Sequence, residues 1–158
     1  MKYENYENWG HFSRVGITSG WKALDVGCGA GDEVAYLRSL GCEAYGLDNA
    51  SEGYQINHEY CFLADARAIP CKSNCFDLIV CLVVIQHIPE NVQVIKEINR
   101  VLKNKGKLVI TVANKFGITL KRLRIALRNL FGLEFGYDYY KFYRQNELVN
   151  ILKNSGFN

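Results

Sequence analysis

The chain has 158 residues, of which 49% are hydrophobic and 22% are charged. These values are typical of one soluble globular domain and exclude the disordered and fibrous classes. The net charge of +3 is too small to indicate a nucleic-acid-binding protein by itself. No apolar run approaches the ~20 residues that span a bilayer, and residues 1–10 form no hydrophobic signal segment. We therefore expect a cytoplasmic protein without a transmembrane segment.

The six cysteines are scattered, and most lie in apolar sequence, where a reduced cysteine acts as a small core residue. Cys71 and Cys75 form the closest pair, with no second pair or histidine cluster after them. A zinc site needs more ligands than this. We expect reduced thiols and no metal.

The predicted elements alternate between short apolar runs and longer segments with helical spacing. The predicted strands, in chain order, are 23–26, 43–47, 60–63, 76–84 and 107–113. The predicted helices are 33–40, 92–102, 118–131 and 145–154. Such alternation is typical of a parallel sheet covered by helices.

Three details sharpen these elements. Val34, Leu37 and Leu40 share one stripe of the first helix. The fourth strand is apolar throughout except for Asp77, which predicts a central strand covered on both faces. A turn at Gly106 is expected to precede the fifth strand.

We interpret residues 1–158 as a single domain. An aromatic segment, 1–21, precedes the first strand. We expect it to be an arm packed over the sheet, either along the edge where a cofactor would bind or as ordinary packing. Residues 114–144 form an insertion that we expect to act as a lid.

A glycine loop follows the first strand, with Gly27, Gly29 and Gly31 spaced G-x-G-x-G. Glycines at such a turn permit positive φ and close approach of a ligand, and the next helix offers free N–H groups. The dinucleotide fingerprint needs a fourth-position glycine where Asp32 stands, and no G-K-[ST] follows, so a P-loop is excluded as well. Taken alone, the triplet is equally compatible with a tight structural turn.

Asp48 closes the second strand, 23 residues after Asp25. An acidic residue at this place commonly accepts hydrogen bonds from ribose hydroxyls. Without a phosphate-binding fingerprint, the pattern favours a nucleoside that lacks a diphosphate. S-adenosylmethionine fits, because its amino and carboxylate groups suit loop carbonyl and N–H groups.

Five ordered blocks carry a resemblance to a known family: LDVGCGAGDEVAYL, GLDNA, FLADARAIPCKSNCFDLIVCLVVIQHIPE, EINRVLKNKGKLVITVANK and FYRQNELVNILKNSGF. They resemble the class I S-adenosylmethionine-dependent methyltransferases, specifically the small methyltransferase domain 11 (ubiquinone/menaquinone-type) group. The resemblance implies an α/β fold, a three-layer Rossmann-like doubly wound parallel sheet with strand order 3-2-1-4-5. It also implies S-adenosyl-L-methionine as cofactor and S-adenosyl-L-homocysteine as product.

The chain departs from the family pattern in two places. Asn49 is polar where the family often has an apolar residue. The chain also ends at Asn158, before the family's sixth and seventh strands. We expect a C-terminal truncation, or a second chain, as in a homodimer, covering the edge of strand five.

The resemblance also assigns cofactor-binding residues. They are Asp25, Gly27, Cys28, Gly29, Asp48, Asn49, Asp65, Ala66, Cys81 and Leu82, with Val83 beside them. The four loop residues would order and line the methionine portion. Asp48 would accept from the ribose hydroxyls, and Asn49 would flank the adenine. Asp65 and the Ala66 N–H would bind the adenine, and the residues that end strand four would lie near the sulfonium.

The reaction suggests further candidates. His87, just beyond strand four, is a candidate base for an acceptor that must lose a proton, although a histidine that caps the next helix explains it equally well. Tyr137, Tyr139, Tyr140 and Tyr143 would roof the substrate pocket, where aromatic faces suit a cationic or flat acceptor, or would simply pack a lid. His11 and Trp9 are weaker candidates for the same pocket.

The predicted helix 118–131 is basic and amphipathic, with no acidic residue from 115 to 133. Its basic residues and the one just before it are Lys115, Lys121, Arg122, Arg124 and Arg128. Such a helix suits an anionic membrane, a nucleic acid or an acidic small substrate, or is a solvated outer face.

Three functions therefore stay open. The favoured one is methyl transfer by in-line displacement to a small-molecule or lipid-like acceptor. The alternatives are methylation of tRNA or another RNA through the basic helix, and a non-catalytic S-adenosylmethionine-binding module.

Overall fold

The computed structural model describes residues 12, 14–49, 59–113 and 143–157. Within these ranges lie five strands: β1 Lys22–Val26, β2 Glu43–Asp48, β3 Cys61–Leu63, β4 Phe76–Leu82 and β5 Leu102–Thr111. The α-helices are α1 Asp32–Ser39, α2 Asn91–Val101 and α3 Gln145–Asn154, and a 3₁₀ helix covers Ile85–His87. No helix in this part of the chain is both long and apolar enough to cross a membrane.

The strands form one parallel sheet in the order β3-β2-β1-β4-β5, which confirms the predicted order. All the carboxyl ends of the strands therefore lie along one edge of the sheet. In a sheet of this kind, the reversal of strand order between β1 and β4 opens a crevice at that edge.

β4 lies between β1 and β5, and four consecutive residues, Leu78 to Cys81, have no solvent exposure. The prediction of a strand covered on both faces is confirmed. One face packs against α2 and α3, with Ile95, Ile98 and Tyr143 in its core. The other face packs against α1 and the segment before β1, with Phe12 and Leu37 in its core.

The helix α2 shows why the sequence pattern predicts this layer. Val94, Ile95, Ile98 and Val101 recur at helical spacing, and all four are fully buried. Hydrophobic burial of this stripe against the sheet fixes the orientation of α2. The beginning of α2 is thereby held at the same edge as the carboxyl ends of the strands.

Several boundaries differ from the sequence prediction, most of them by one residue, and three differences have a visible structural cause. β4 ends at Leu82 rather than at residue 84, because Val83 adopts a φ of 61° and turns the chain into the 3₁₀ helix. β5 begins at Leu102 and runs through Gly106, where a turn was expected; an irregular register beside Phe76 and Leu78 accommodates the polar residues in between. Leu40 is 40% exposed because it lies just after α1 ends.

The segment before β1 is described only in part. Phe12 is buried and its ring lies 5.6 Å from that of Tyr36 on α1. The Lys107 ammonium donates a hydrogen bond to the carbonyl of Val15 and lies 5.2 Å from the centre of the Trp21 ring. This part of the predicted arm packs on the α1 face, and residues 1–11 lie outside the described residues.

Candidate functional site

The glycine loop begins where β1 ends, at the centre of the sheet edge. Gly27 has a φ of 80°, and a Cβ at this position would lie 2.2 Å from Cγ2 of Val84. The N–H groups of Gly27 and Cys28 both donate to the carbonyl of Leu47, at 2.8 and 3.0 Å. Only glycine satisfies both the backbone conformation and the contact with Val84. The loop is therefore closely packed between β2 and the turn after β4.

A second glycine, Gly46 in β2, allows the loop to pack closely against this strand. A Cβ there would lie 2.7 Å from both Cβ and Sγ of Cys28, so this glycine makes room for the cysteine. The Cys28 thiol hydrogen-bonds with Cys61, and burial raises the pKa of Cys28. Cys28 is thus a neutral wall of the loop, since a thiolate is disfavoured there.

Asp48, at the end of β2, contacts the loop directly. Its Oδ2 accepts a hydrogen bond of 2.9 Å from the N–H of Gly29. Its carbonyl accepts from the N–H of Ala64, which follows β3, at 2.9 Å. The two features that the sequence analysis linked by spacing alone, the loop and the acid, are therefore joined in space.

Asp25, the last residue but one of β1, is a buried carboxyl. It is 2% exposed, and its Oδ2 has no hydrogen-bond partner among the described residues. Burial raises the pKa of Asp25 well above the usual range, and the charges of Glu33 and Asp48 raise it further. A buried acceptor of this kind is costly to keep, which favours a role in binding.

Asp65 and Arg67 form a network that the sequence analysis missed in part. Three N–H groups of Arg67 donate to the Asp65 carboxylate at 2.7–3.0 Å. The remaining Nη1 donates to Glu90 at 2.9 Å. The Arg67 guanidinium holds the pKa of Asp65 below its usual range. The spacing Asp-x-Arg could have indicated the first contact, but no sequence pattern indicates Glu90, which lies on another loop.

The end of β4 carries a strained residue. Cys81 is fully buried, and Leu82 is half-buried. Val83 adopts a left-handed φ of 61°, which is unfavourable for a β-branched side chain and costs roughly 1–3 kcal/mol. Its N–H donates to both the carbonyl and Oγ1 of Thr111, at 3.0 and 3.2 Å. The turn directs Val84 back toward Gly27 and thereby closes one side of the loop.

His87 ends the 3₁₀ helix after β4 and is half-buried. Its backbone N–H donates to the carbonyl of Val84 at 2.9 Å. The neighbouring Gln86, which the sequence analysis did not single out, is fully buried, and neither polar atom of its amide has a hydrogen-bond partner among the described residues. The 3₁₀ helix thus lies just beyond the carboxyl end of β4, while the role of His87 as a base stays a prediction.

The structure describes only some of the other predicted site residues. Asn49 is exposed directly after β2, and Ala66 is 6% exposed. Tyr143 is 1% exposed in the core between the sheet and α3. Its backbone N–H donates to the carbonyl of Ala113 at 3.1 Å. Burial raises the pKa of its phenol to about 12. The following predictions lie outside the described residues: His11, Trp9, Tyr137, Tyr139, Tyr140 and the basic helix 118–131.

The buried Asp25 gives a prediction about pH. Its pKa is raised in the folded chain, so the folded state keeps the proton more tightly than the unfolded state, whose value is near 3.9. The stability associated with the neutral carboxyl is complete below that value and is lost as pH rises toward the folded pKa. We expect Asp25→Asn to become progressively more stable than the unmodified chain as pH rises from 4, by up to about 1.4 kcal/mol per pH unit.

Urea unfolding of both proteins without ligand, from pH 4 to pH 8, measures this difference. Asp32→Asn, which removes a carboxylate from an exposed position in the first turn of α1, is the control for loss of charge alone. A difference between Asp25→Asn and the unmodified chain that stays constant with pH would contradict the buried-charge interpretation.

Comparison with known proteins gives the family. Residues 24–110, more than half of the chain, match the family described as methyltransferase domain. Methyltransferase GfsG of Streptomyces halstedii is 33% identical over 112 residues, which are 63% of this chain and 40% of that protein. The ubiquinone biosynthesis O-methyltransferase of Acinetobacter baumannii is 23% identical over 162 residues, covering 90% of this chain and 66% of the relative.

Solved structures show the same fold. Phosphoethanolamine N-methyltransferase 2 of Haemonchus contortus, in complex with S-adenosyl-L-methionine, aligns with a TM-score of 0.71 and 22% identity, over 95% of this chain and 36% of that one. The chain thus spans less than two thirds of the length of these relatives. The glycine loop, the acid at the end of β2 and the 3-2-1-4-5 sheet occur together in this matched region. The chain belongs to the methyltransferase domain family of class I S-adenosylmethionine-dependent methyltransferases.

Proposed function

We propose that this chain binds S-adenosylmethionine on its glycine loop and transfers the methyl group to a small-molecule or lipid-like acceptor. The observation that carries the proposal is the hydrogen bond from Gly29 N–H to Asp48 Oδ2. It brings an acid suited to ribose hydroxyls against a loop suited to the methionine end of the same molecule.

The residues present fit this cofactor. The glycines at 27 and 46 let the loop pack closely against Val84 and β2, and such loops permit close approach of a ligand to the backbone. The partnerless Oδ2 of Asp25 is a buried acceptor beside the loop, suited to ordering it and to the methionine amino group. Among the described residues, the side chains at the ends of β1 and β2 and just after β3 are the acids Asp25, Asp48 and Asp65, which suits a cofactor without phosphate.

In this proposal each acid binds a different part of the cofactor. Asp48 accepts from the ribose hydroxyls, and Asp65 accepts from the adenine amino group while the Ala66 N–H donates to the ring. When bound, S-adenosylmethionine supplies a methyl group already activated by the sulfonium. The residues around it therefore mainly orient the donor and acceptor and exclude water, an effect that can contribute about 7–11 kcal/mol.

His87 is the proposed base for an acceptor that carries a proton on the attacked atom. It follows β4 on the 3₁₀ helix, at the edge where the loop lies. The name of the Acinetobacter relative, a ubiquinone biosynthesis O-methyltransferase, supports an oxygen atom of a small, lipid-like molecule as the acceptor.

Calorimetry with S-adenosylmethionine and Asp48→Asn tests the cofactor site. The amide oxygen can still accept from Gly29 N–H, but the amide nitrogen cannot accept from a ribose hydroxyl. We expect binding by the unmodified chain and about tenfold to hundredfold weaker binding by Asp48→Asn, because a lost charged hydrogen bond contributes about 1.5–3 kcal/mol.

Asp32→Asn is the matched control and should bind normally, since this acid lies at an exposed position on α1. Absence of binding by the folded, unmodified chain would refute the proposed function. Equal affinity of Asp48→Asn and the unmodified chain would refute the ribose role of Asp48 alone.

The acceptor class is tested with S-adenosylmethionine labelled in its methyl group. Incubated with a cell extract, the chain should place label in the organic-solvent phase or the small-molecule fraction. Label recovered in RNA, and lost on ribonuclease treatment, would favour RNA methylation instead. Firm cofactor binding without label in any fraction would favour the non-catalytic binding module.

A further inference from the structure

We propose that Arg67 is a positioning residue that fixes the Asp65 carboxylate for the adenine amino group and ties it to the start of α2. The inference rests on the proposed function, because it deepens the adenine-binding role given to Asp65. It concerns a residue that contacts the acid rather than the cofactor.

The geometry of the pair restricts the carboxylate on both oxygens. The backbone N–H of Arg67 donates to Oδ1 at 2.8 Å, and Nη2 donates to Oδ2 at 2.7 Å. Nε lies between them, at 3.0 Å from each oxygen. A side-on guanidinium combined with a backbone N–H sets both the plane and the rotation of the carboxylate.

This arrangement leaves capacity for one more donor. An ionised carboxylate accepts about four hydrogen bonds. Arg67 supplies three N–H groups, one of which, Nε, is shared between the two oxygens, and the Asp65 side chain is still 40% exposed. An exocyclic amino group offers the additional donor. The Arg67 contacts therefore orient the acid without saturating it.

Arg67 is itself held by two residues at the start of α2. Nη1 donates to Oε2 of Glu90 at 2.9 Å, and the side-chain amide of Gln93 donates to the Arg67 carbonyl at 3.4 Å. Glu90 is the N-cap residue of α2, yet its side chain makes no capping hydrogen bond and reaches Arg67 instead. The loop after β3 is thereby joined to the loop that carries His87.

Removing Arg67 should not release this loop as a whole. The N–H of Ile69 donates to Glu97 at 2.9 Å, and Arg100 donates to the carbonyls of Ile69 and Cys71 at 2.8 Å. These contacts hold the following residues on α2 independently. The Arg67 ion pairs are 40–56% exposed, and exposed pairs contribute little to folding stability. The expected consequence of losing the Arg67 side chain is an Asp65 carboxylate that keeps the backbone N–H of residue 67 but loses the guanidinium that sets its plane, with the fold intact.

A double-mutant cycle measured by calorimetry with S-adenosylhomocysteine tests the inference. We expect Arg67→Ala to weaken binding about fivefold to twentyfold, a loss between those of an ordinary hydrogen bond and of one to a charged group. In an Asp65→Ala background, Arg67→Ala should cause no further loss, because its effect passes through Asp65. Arg67→Lys should bind with intermediate affinity, since an ammonium supplies charge without the planar fork.

Lys96→Ala, which removes a positive charge from an exposed position on α2, is the matched control and should bind normally. Losses for Asp65→Ala and Arg67→Ala that simply add in the double variant would overturn the positioning role. So would unchanged affinity of Arg67→Ala when the unmodified chain binds, an outcome that leaves the proposed function standing. No binding by the unmodified chain would overturn both.

A readout without ligand separates positioning from general support of the fold. Carboxyl ¹³C NMR follows the ionisation of Asp65 directly. The pKa of Asp65 should rise in Arg67→Ala toward the ordinary value near 3.9, while the thermal unfolding midpoint changes little. An unchanged Asp65 titration, or a pKa shift accompanied by global destabilisation, would overturn the inference.

Discussion

The contact between the glycine loop and the end of β2 is the constraint on which the rest of the site depends. The Gly29 N–H donates to Asp48, and two further loop N–H groups donate to the Leu47 carbonyl. Such close approach requires a residue without a side chain at Gly46, and again at Gly27, where Val84 closes the other side. The loop is therefore held between β2 and the turn after β4. In a parallel sheet this is the crevice where strand order reverses, and a ligand placed there meets the ends of several strands at once.

The site has features that reduce stability. A carboxyl of Asp25 is buried without a partner for one oxygen among the described residues, and Val83 adopts a backbone conformation that its branched side chain disfavours. Both lie at the sheet edge that carries the glycine loop, whereas β4 and α2 are packed by well-buried aliphatic residues. A well-packed sheet and helix layer, with strained or unpaired groups at the sheet edge, is typical of a scaffold that holds a binding site in a fixed geometry. In the proposed function these features have a common purpose, the binding of a sulfonium nucleoside.

The sequence predicts the sheet well because its signals are local. A continuous apolar run identifies β4, and apolar residues at helical spacing identify α2. The order of the elements together with the family resemblance gives the strand order. The glycine spacing also places the loop, because G-x-G-x-G follows a predicted strand, precedes a predicted helix and is accompanied by an acidic residue at the end of the next strand. The pattern fails where a backbone torsion decides the boundary. An apolar run from Phe76 to Val84 predicts one strand, but the left-handed φ of Val83 ends it two residues earlier.

Contacts between distant loops were also beyond prediction. Arg67 and Glu90 lie 23 positions apart, and nothing in their spacing indicates that they meet. The full burial of Gln86 was equally hidden, because a glutamine beside a candidate histidine has the composition of a surface loop. Both depend on how α2 packs on the sheet, which is a consequence of the whole fold rather than of any short segment.

A crystal structure of the chain soaked with S-adenosylhomocysteine would test the central claim most directly. The account predicts that the nucleoside lies over the glycine loop, with its ribose hydroxyls within about 3 Å of the Asp48 carboxylate, a normal hydrogen-bond distance. A ligand bound elsewhere on the sheet edge, or a ribose with no contact to Asp48, would contradict it.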